Sequence, residues 1–135
     1  MGYQIDEIEG IGPSFASKLA NVNITNTDHF LDACCDKKGR KKTAEETGIS
    51  EKLILNWANK ADLMRVNGVG PQYSELLEAA GVDTVKELRN RNAENLTSKM
   101  AEVNEVKNLS NANPSLSAVK KWIAQAKEMD PVLTY

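Results

Sequence analysis

The sequence predicts an all-α fold of short helices, arranged as two similar halves. Apolar residues recur at helical spacing along most of the chain. No stretch alternates apolar and polar residues in the way that a half-buried strand does. A pattern of glycines, a proline and apolar residues occurs twice, which indicates an internal repeat.

The repeat is positional. A shift of 58 residues aligns IEGIGPSFASKL, residues 8–19, with VNGVGPQYSELL, residues 66–77. Further along, Trp57 and Trp122 each follow a serine by seven residues and lie 65 residues apart. The second copy has therefore gained seven residues, which we place in the polar stretch of residues 93–113.

The first helix of each copy is predicted to begin at a proline. Pro13 and Pro71 follow the second glycine of each copy, and the first turn of a helix does not need the N–H group that proline lacks. Thr25 and Asp83 are the predicted caps of the next helices, because short polar side chains accept hydrogen bonds from first-turn N–H groups.

The last helix of each copy contains its tryptophan, Trp57 or Trp122, and we call these two the tryptophan helices. Gly48 and the Asn113–Pro114 pair interrupt the chain before them, and Ser50 and Ser115 are their predicted caps. In total the sequence predicts eight or nine short helices.

The length of 135 residues fits one ordinary domain or two very small ones packed together. The repeat favours two helical units, residues 1–61 and residues 62–135. The second range includes the C-terminal tail DPVLTY, which is predicted either to fray or to lie back on the body.

Composition argues against several functional classes. The chain has 17 basic and 19 acidic residues and a formal net charge of -2, so it is not expected to coat nucleic acid by bulk electrostatics. Cys34 and Cys35 are adjacent, and a bridge between neighbours is strained, which favours a reduced, cytoplasmic protein. With His29 as the single histidine, we expect no metal site, no cofactor and no catalytic constellation. We also expect no membrane span.

The glycine turns have a specific physical use. Glycines permit positive φ and remove side chains, so the amides of the turn and of the next helix's first residues are able to face one point outside the protein. The helix dipole adds partial positive charge there, which favours an anion. The apolar residues between the glycines, Ile11 and Val69, should point inward.

These residues resemble the helix-hairpin-helix family, whose pattern is an apolar residue, any residue, Gly, apolar, Gly and then a helix. That resemblance implies two tandem units that grip duplex DNA through its phosphates. The segments KGRKKTAEETGISEKLILNWANKADLMRVNGVG and LLEAAGVDTVKELRNRN also resemble an uncharacterised bacterial family known only as a domain of unknown function.

Transferred residue by residue, the resemblance implies phosphate contacts from the amides of Gly10, Gly12 and Ser14, and of Gly68, Gly70 and Gln72. Lys18 belongs to the same candidate set. Family members that bind DNA often have Lys or Arg just after the hairpin, whereas this chain has Ser14 and Gln72, with Glu9 and Glu75 nearby.

The strongest local charge is the run KKGRKK. Like charges this close repel one another, and a polyanion would relieve the repulsion. The alternative is a solvated surface whose charge is offset by neighbouring acids at Asp36, Glu45 and Glu46. The candidate phosphate-binding residues of the run are Lys37, Lys38, Arg40, Lys41 and Lys42.

Trp57 and Trp122 have two interpretations. Exposed beside basic residues, they would form a stacking platform for bases. Their helical spacing relative to other apolar residues favours core packing instead.

Two functions remain open from the sequence. The first is a sequence-independent module that binds the backbone of DNA or another nucleic acid. The alternative is a protein-interaction or scaffold module that keeps the hairpin fold for its packing alone, with a protein as its partner. Enzymatic activity is not expected.

Overall fold

The structure is a computed structural model that describes residues 2–135. It is all-helical over this range, as predicted. A single turn of 3-10 helix (Ile5–Glu7) comes first, and the α-helices follow in this order: α1 (Pro13–Ala20), α2 (Thr27–Cys34), α3 (Lys37–Thr47), α4 (Glu51–Leu63), α5 (Pro71–Ala79), α6 (Val85–Leu88), α7 (Ala93–Lys107) and α8 (Leu116–Lys127).

The chain divides into two compact units. The first runs to Asp62 and also takes in Val132–Tyr135, and the second is Leu63–Pro131. Four of the six tail residues, Val132–Tyr135, which the repeat placed in the second range, therefore group with the first unit. They do so because Thr134 is hydrogen-bonded there, its N–H donating to the carbonyl oxygen of Cys35 over 2.8 Å.

The first unit packs its apolar residues around Trp57, which is 1% exposed. Phe15 of α1 meets the Trp57 ring edge-on, with 5.1 Å between the ring centroids. The buried apolar side chains of the first unit include Ile8, Leu19, Ile24, Phe30 and Ile54.

The second unit repeats this core around Trp122. Tyr73 of α5 packs at 5.2 Å between ring centroids, in the place that Phe15 takes in the first unit. Apolar residues of α5, α6, α7 and α8 close around the pair, among them Leu76, Leu77, Leu88, Met100 and Val119. The prediction that both tryptophans are core residues is confirmed.

The helix starts agree with the sequence at the prolines and differ at two caps. Pro13 and Pro71 are the first residues of α1 and α5. The caps of α2 and α6 are Asn26 and Thr84, one residue later than the predicted Thr25 and Asp83. Both cap residues have an extended backbone. The Asn26 side chain accepts a hydrogen bond from the N–H of His29 at 2.8 Å, and the Thr84 side chain accepts one from the N–H of Glu87 at 3.3 Å.

The extra residues of the second copy fall in α7 and the loop after it. α7 has 15 residues, whereas α3, its counterpart, has 11. In the loop that follows, Ser110 is buried. The Asn104 side chain donates to the carbonyl oxygen of Ser110 and accepts from its N–H.

Candidate functional site

Each glycine turn uses one glycine with a left-handed backbone. We define the first turn as residues 8–14 and the second turn as residues 66–72. Gly10 has φ +98° and Gly68 has φ +94°, a region that other residues rarely adopt. Gly12 and Gly70 are extended, with φ of −86° and −94°, and each directly precedes the proline that begins the helix.

The apolar residues between the glycines point inward, as predicted. Ile11 is 4% exposed and Val69 is fully buried. Their N–H groups donate to the carbonyl oxygens of Ile8 and Val66 at 3.1 and 3.0 Å. One internal hydrogen bond thus closes each turn, and it does not involve the N–H groups of the flanking residues.

Six backbone N–H groups of the turns have no hydrogen-bond acceptor among residues 2–135. Five of the six residues are exposed and Gly70 is half-buried. The N–H groups at a helix start lack partners within the helix, and the helix dipole makes them slightly positive. They belong to Gly10, Gly12, Ser14, Gly68, Gly70 and Gln72.

A tryptophan lies directly behind each turn. A Cβ atom added to Gly10 would lie 3.1 Å from Nε1 of Trp57, and one added to Gly68 would lie 2.9 Å from Nε1 of Trp122. Glycine is thus needed there for close approach as well as for positive φ. A Cβ at Gly12, by contrast, would meet open space.

The side chains around the two turns differ. Lys18 on α1 is exposed, with its Nζ 5.8 Å from the centroid of the Phe15 ring. Lys60 on α4 is 7% exposed, and its Nζ donates to the carbonyl oxygen of Glu9 over 3.2 Å. The second turn has Gln125 on α8, whose Oε1 accepts the N–H of Asn67 at 2.9 Å.

The side chain of Gln72 is held by the loop after α7. Its Oε1 accepts the Ser110 hydroxyl at 3.3 Å and the Asn111 N–H at 3.4 Å. This loop, part of the insertion, therefore fixes a side chain at the start of α5.

The basic run forms the first half of α3. Asp36 caps this helix, with its Oδ1 accepting the Gly39 N–H at 2.7 Å. The four lysines Lys37, Lys38, Lys41 and Lys42 are all exposed. Over the described range, none of them is within ion-pair distance of a carboxylate.

Arg40 does not join these lysines at the surface. It is 4% exposed, and its guanidinium donates to the carbonyl oxygens of Cys34 at 3.0 Å and Thr134 at 2.6 Å. The same guanidinium lies 5.5 Å from the centroid of the Tyr135 ring. One of its hydrogen bonds holds the C-terminal tail and the other the end of α2, so we remove Arg40 from the candidate phosphate-binding residues.

The two cysteines are free. Burial raises the pKa of the Cys34 thiol above its ordinary value of 9.0, and the thiol donates to Thr43 Oγ1 at 3.5 Å. Within residues 2–135 no three His, Cys, Asp or Glu side chains are grouped so as to hold a metal ion. None of the helices described combines the length and the apolar character needed to cross a bilayer.

Comparison with known proteins assigns a family. The profile of a family described as Domain of unknown function (DUF4332) matches residues 9–129. The chain belongs to the DUF4332 family. The match includes residues 9–14 of the first turn, the whole second turn, α3, α4 and α8, so the candidate residues lie within the DUF4332 domain. No curated protein and no solved structure matches the chain.

Sequence reasoning missed Lys60 in this DUF4332 chain. Lys60 lies three residues after Trp57, which places a cation on the buried face of α4. The shift of 65 residues that aligns the tryptophans also aligns Lys60 with Gln125. A charged residue at a core-facing position of a repeat was the available signal.

Proposed function

We propose that the chain binds the sugar-phosphate backbone of nucleic acid without sequence preference. The observation that supports this most directly is the set of three backbone N–H groups in each glycine turn that lack an acceptor among residues 2–135. In the first turn these come from Gly10, Gly12 and Ser14, and the residues are exposed.

A phosphate oxygen fits this arrangement for electrostatic reasons. N–H groups without acceptors at a helix start and the dipole of that helix both favour an anion. Such contacts position a nucleic acid and give no sequence information, because every phosphate is alike.

The four exposed lysines of α3 supply a concentrated positive charge that the backbone amides do not. Electrostatic attraction dominates the affinity of proteins for DNA, and each neutralised phosphate releases counterions. At a formal net charge of -2, attraction must be local, and Lys37, Lys38, Lys41 and Lys42 are the densest local positive charge.

The resemblance to helix-hairpin-helix proteins supports the same function. We infer that each glycine turn, with the helices on either side, is a hairpin of that kind, and that the protein works in the bacterial cytoplasm. Two free cysteines fit a reducing compartment.

A protein-interaction or scaffold role is the second candidate. The close packing of Trp57 and Trp122 against Gly10 and Gly68 explains those glycines without any ligand. Ser14 and Gln72 also stand where charged residues would strengthen binding to DNA. A partner retrieved by pull-down and retained after nuclease treatment would support this role.

Fluorescence anisotropy with labelled duplex and single-stranded DNA and RNA tests the proposal. We expect binding at low salt that weakens as salt rises. Lys41→Glu combined with Lys42→Glu should reduce the affinity at least about tenfold, because two attractions become repulsions.

The matched control is Lys99→Glu combined with Lys107→Glu, which makes the same charge change on exposed positions of α7. Binding should fall much less in this control. Equal loss in both variants, or no binding by the unaltered protein at low salt, would refute the proposal.

A further inference from the structure

The indole N–H groups behind the two turns lack acceptors. Trp57 is 1% exposed and Trp122 is 3% exposed, yet neither indole donates to any acceptor among residues 2–135. A tryptophan N–H in a core usually finds a partner. Neither Nε1 is among the fully buried side-chain atoms that lack a partner, so each indole N–H retains a small contact with solvent. The same unpartnered but reachable donor occurs twice, at equivalent positions.

Both indole nitrogens are aimed at the glycine turns. In each unit Nε1 is the atom nearest to the space left by the missing side chain, at 3.1 Å for Gly10 and 2.9 Å for Gly68. The neighbouring ring atoms Cδ1 and Cε2 of Trp122 lie farther from a Cβ added to Gly68, at 3.8 and 4.0 Å. The nitrogen is therefore the ring atom closest to the turn. The indole donor thus borders the turn whose amides face solvent.

The first turn also has a buried cation. The ammonium of Lys60 carries three N–H donors, and the Glu9 carbonyl is its one acceptor among the residues described. Lysine is seldom buried this deeply without a paired charge. The remaining donors lie next to the residue that precedes Gly10.

The second turn has no such charge. Gln125 takes the place of Lys60, and its Oε1 takes up the N–H of Asn67. Leu76 takes the place of Lys18 and is fully buried. The two turns therefore share an indole and a glycine backbone and differ in positive charge.

We propose that the indole N–H of Trp57 and the ammonium of Lys60 complete a phosphate site at the first turn, and that the second turn, with Trp122 and Gln125, is its weaker counterpart. This inference rests on the proposed function and names the residues that set its strength. Hydrogen bonds to an ionised group are roughly twice as strong as those between neutral groups, and the ammonium adds a full positive charge that an amide or indole N–H lacks.

Amide and indole N–H signals in NMR spectra of the isotope-labelled protein test this inference, with a short DNA duplex as titrant. The protein has two tryptophans and therefore two indole signals, which Trp57→Phe and Trp122→Phe assign. We expect the Trp57 indole signal to move together with the amides of Gly10 and Gly12, at lower duplex concentration than the Trp122 signal.

Reciprocal substitutions test the role of charge. Lys60→Gln places in the first unit the residue that the second unit already accommodates, and it should weaken binding at the first turn about tenfold. Gln125→Lys should strengthen binding at the second turn. Lys52→Gln, at an exposed position of α4, is the matched control and should change neither turn.

The outcomes separate the two proposals. If the turn amides move while both indole signals stay fixed, or if the two turns bind equally well and Lys60→Gln has no effect, this inference is wrong and the proposed function stands. If neither amides nor indoles respond to the duplex, both are wrong.

Discussion

At each glycine turn the two glycines have different tasks. Gly10 needs a left-handed backbone and leaves room for Trp57, whereas Gly12 is extended and faces open space. The first is required by the fold, and the second leaves the approach to the free amides clear. The two positions therefore separate stability from binding.

Alanine substitutions should show this separation. Gly10→Ala forces a side chain into a positive-φ position and against an indole, so it should lower the free energy of unfolding by about 1–3 kcal/mol. Gly12→Ala should lower it by less than about 1 kcal/mol, since alanine is only a poorer helix cap than glycine. Urea denaturation measures both values.

Gly12→Ala, which should affect stability little, should weaken the binding of a DNA duplex. The methyl group of Gly12→Ala occupies the space that a phosphate would approach, so affinity should fall while the fold is retained. A Gly12→Ala variant that binds normally would show that the turn amides do not contact the ligand.

Residue chemistry explains part of what the sequence alone could predict. The inward orientation of Ile11 and Val69 followed from the glycines on either side of them. The caps were placed one residue early, since Thr25 and Asn26, like Asp83 and Thr84, are adjacent short polar residues with similar capping ability. Which of the two is extended is decided by the surrounding structure.

At the scale of elements, α3 has two faces with separate roles. Its exposed face bears the four lysines, and its buried face contributes Arg40 and Thr43 to the first unit. Sequence proximity grouped Arg40 with the lysines. One of its two hydrogen-bond partners, Thr134, is 94 residues away, a relation that no local pattern contains.

Substitutions on the two faces of α3 should therefore differ in effect. Arg40→Ala removes two charged hydrogen bonds and leaves the buried Cys34 carbonyl without this donor, so it should lower the free energy of unfolding by about 2–3 kcal/mol. Lys41→Ala should change it by no more than about 0.5 kcal/mol, as expected of an exposed position.

Urea denaturation of the two variants measures this difference, and DNA binding gives the complementary result. Lys41→Ala should weaken binding, and Arg40→Ala, studied below its unfolding transition, should bind nearly as well as the unaltered protein. A stable Arg40→Ala variant with lost binding would restore Arg40 to the candidate set.

At the scale of the whole molecule, the helical spacing of apolar residues predicted the all-helical fold, and the comparisons bear out the resemblance to a family of unknown function. Contacts that are distant in sequence could not be predicted in this way. Lys60 and Glu9 are 51 residues apart, and their contact depends on how α4 packs behind the first turn. The candidate site was therefore foreseen as a backbone feature and completed by side chains that only packing places there.

Binding to duplex DNA should have a modest salt dependence. Each phosphate neutralised by a lysine contributes about −0.9 to the slope of log affinity against log salt concentration. If the four lysines of α3 each contact one phosphate, the slope is about −3 to −4. Anisotropy titrations over a salt series measure it, and the Lys41→Glu and Lys42→Glu double variant should roughly halve it.

The tail makes the first unit discontinuous along the chain. Residues 132–135 contribute hydrogen bonds to Arg40 and Cys35, and all of the second unit lies between these partners in sequence. During synthesis on the ribosome, the first unit therefore cannot reach its final form until residue 135 has left the exit tunnel, by which time the second unit has already emerged. The half of the protein that is made first thus depends on residues that are made after the other half.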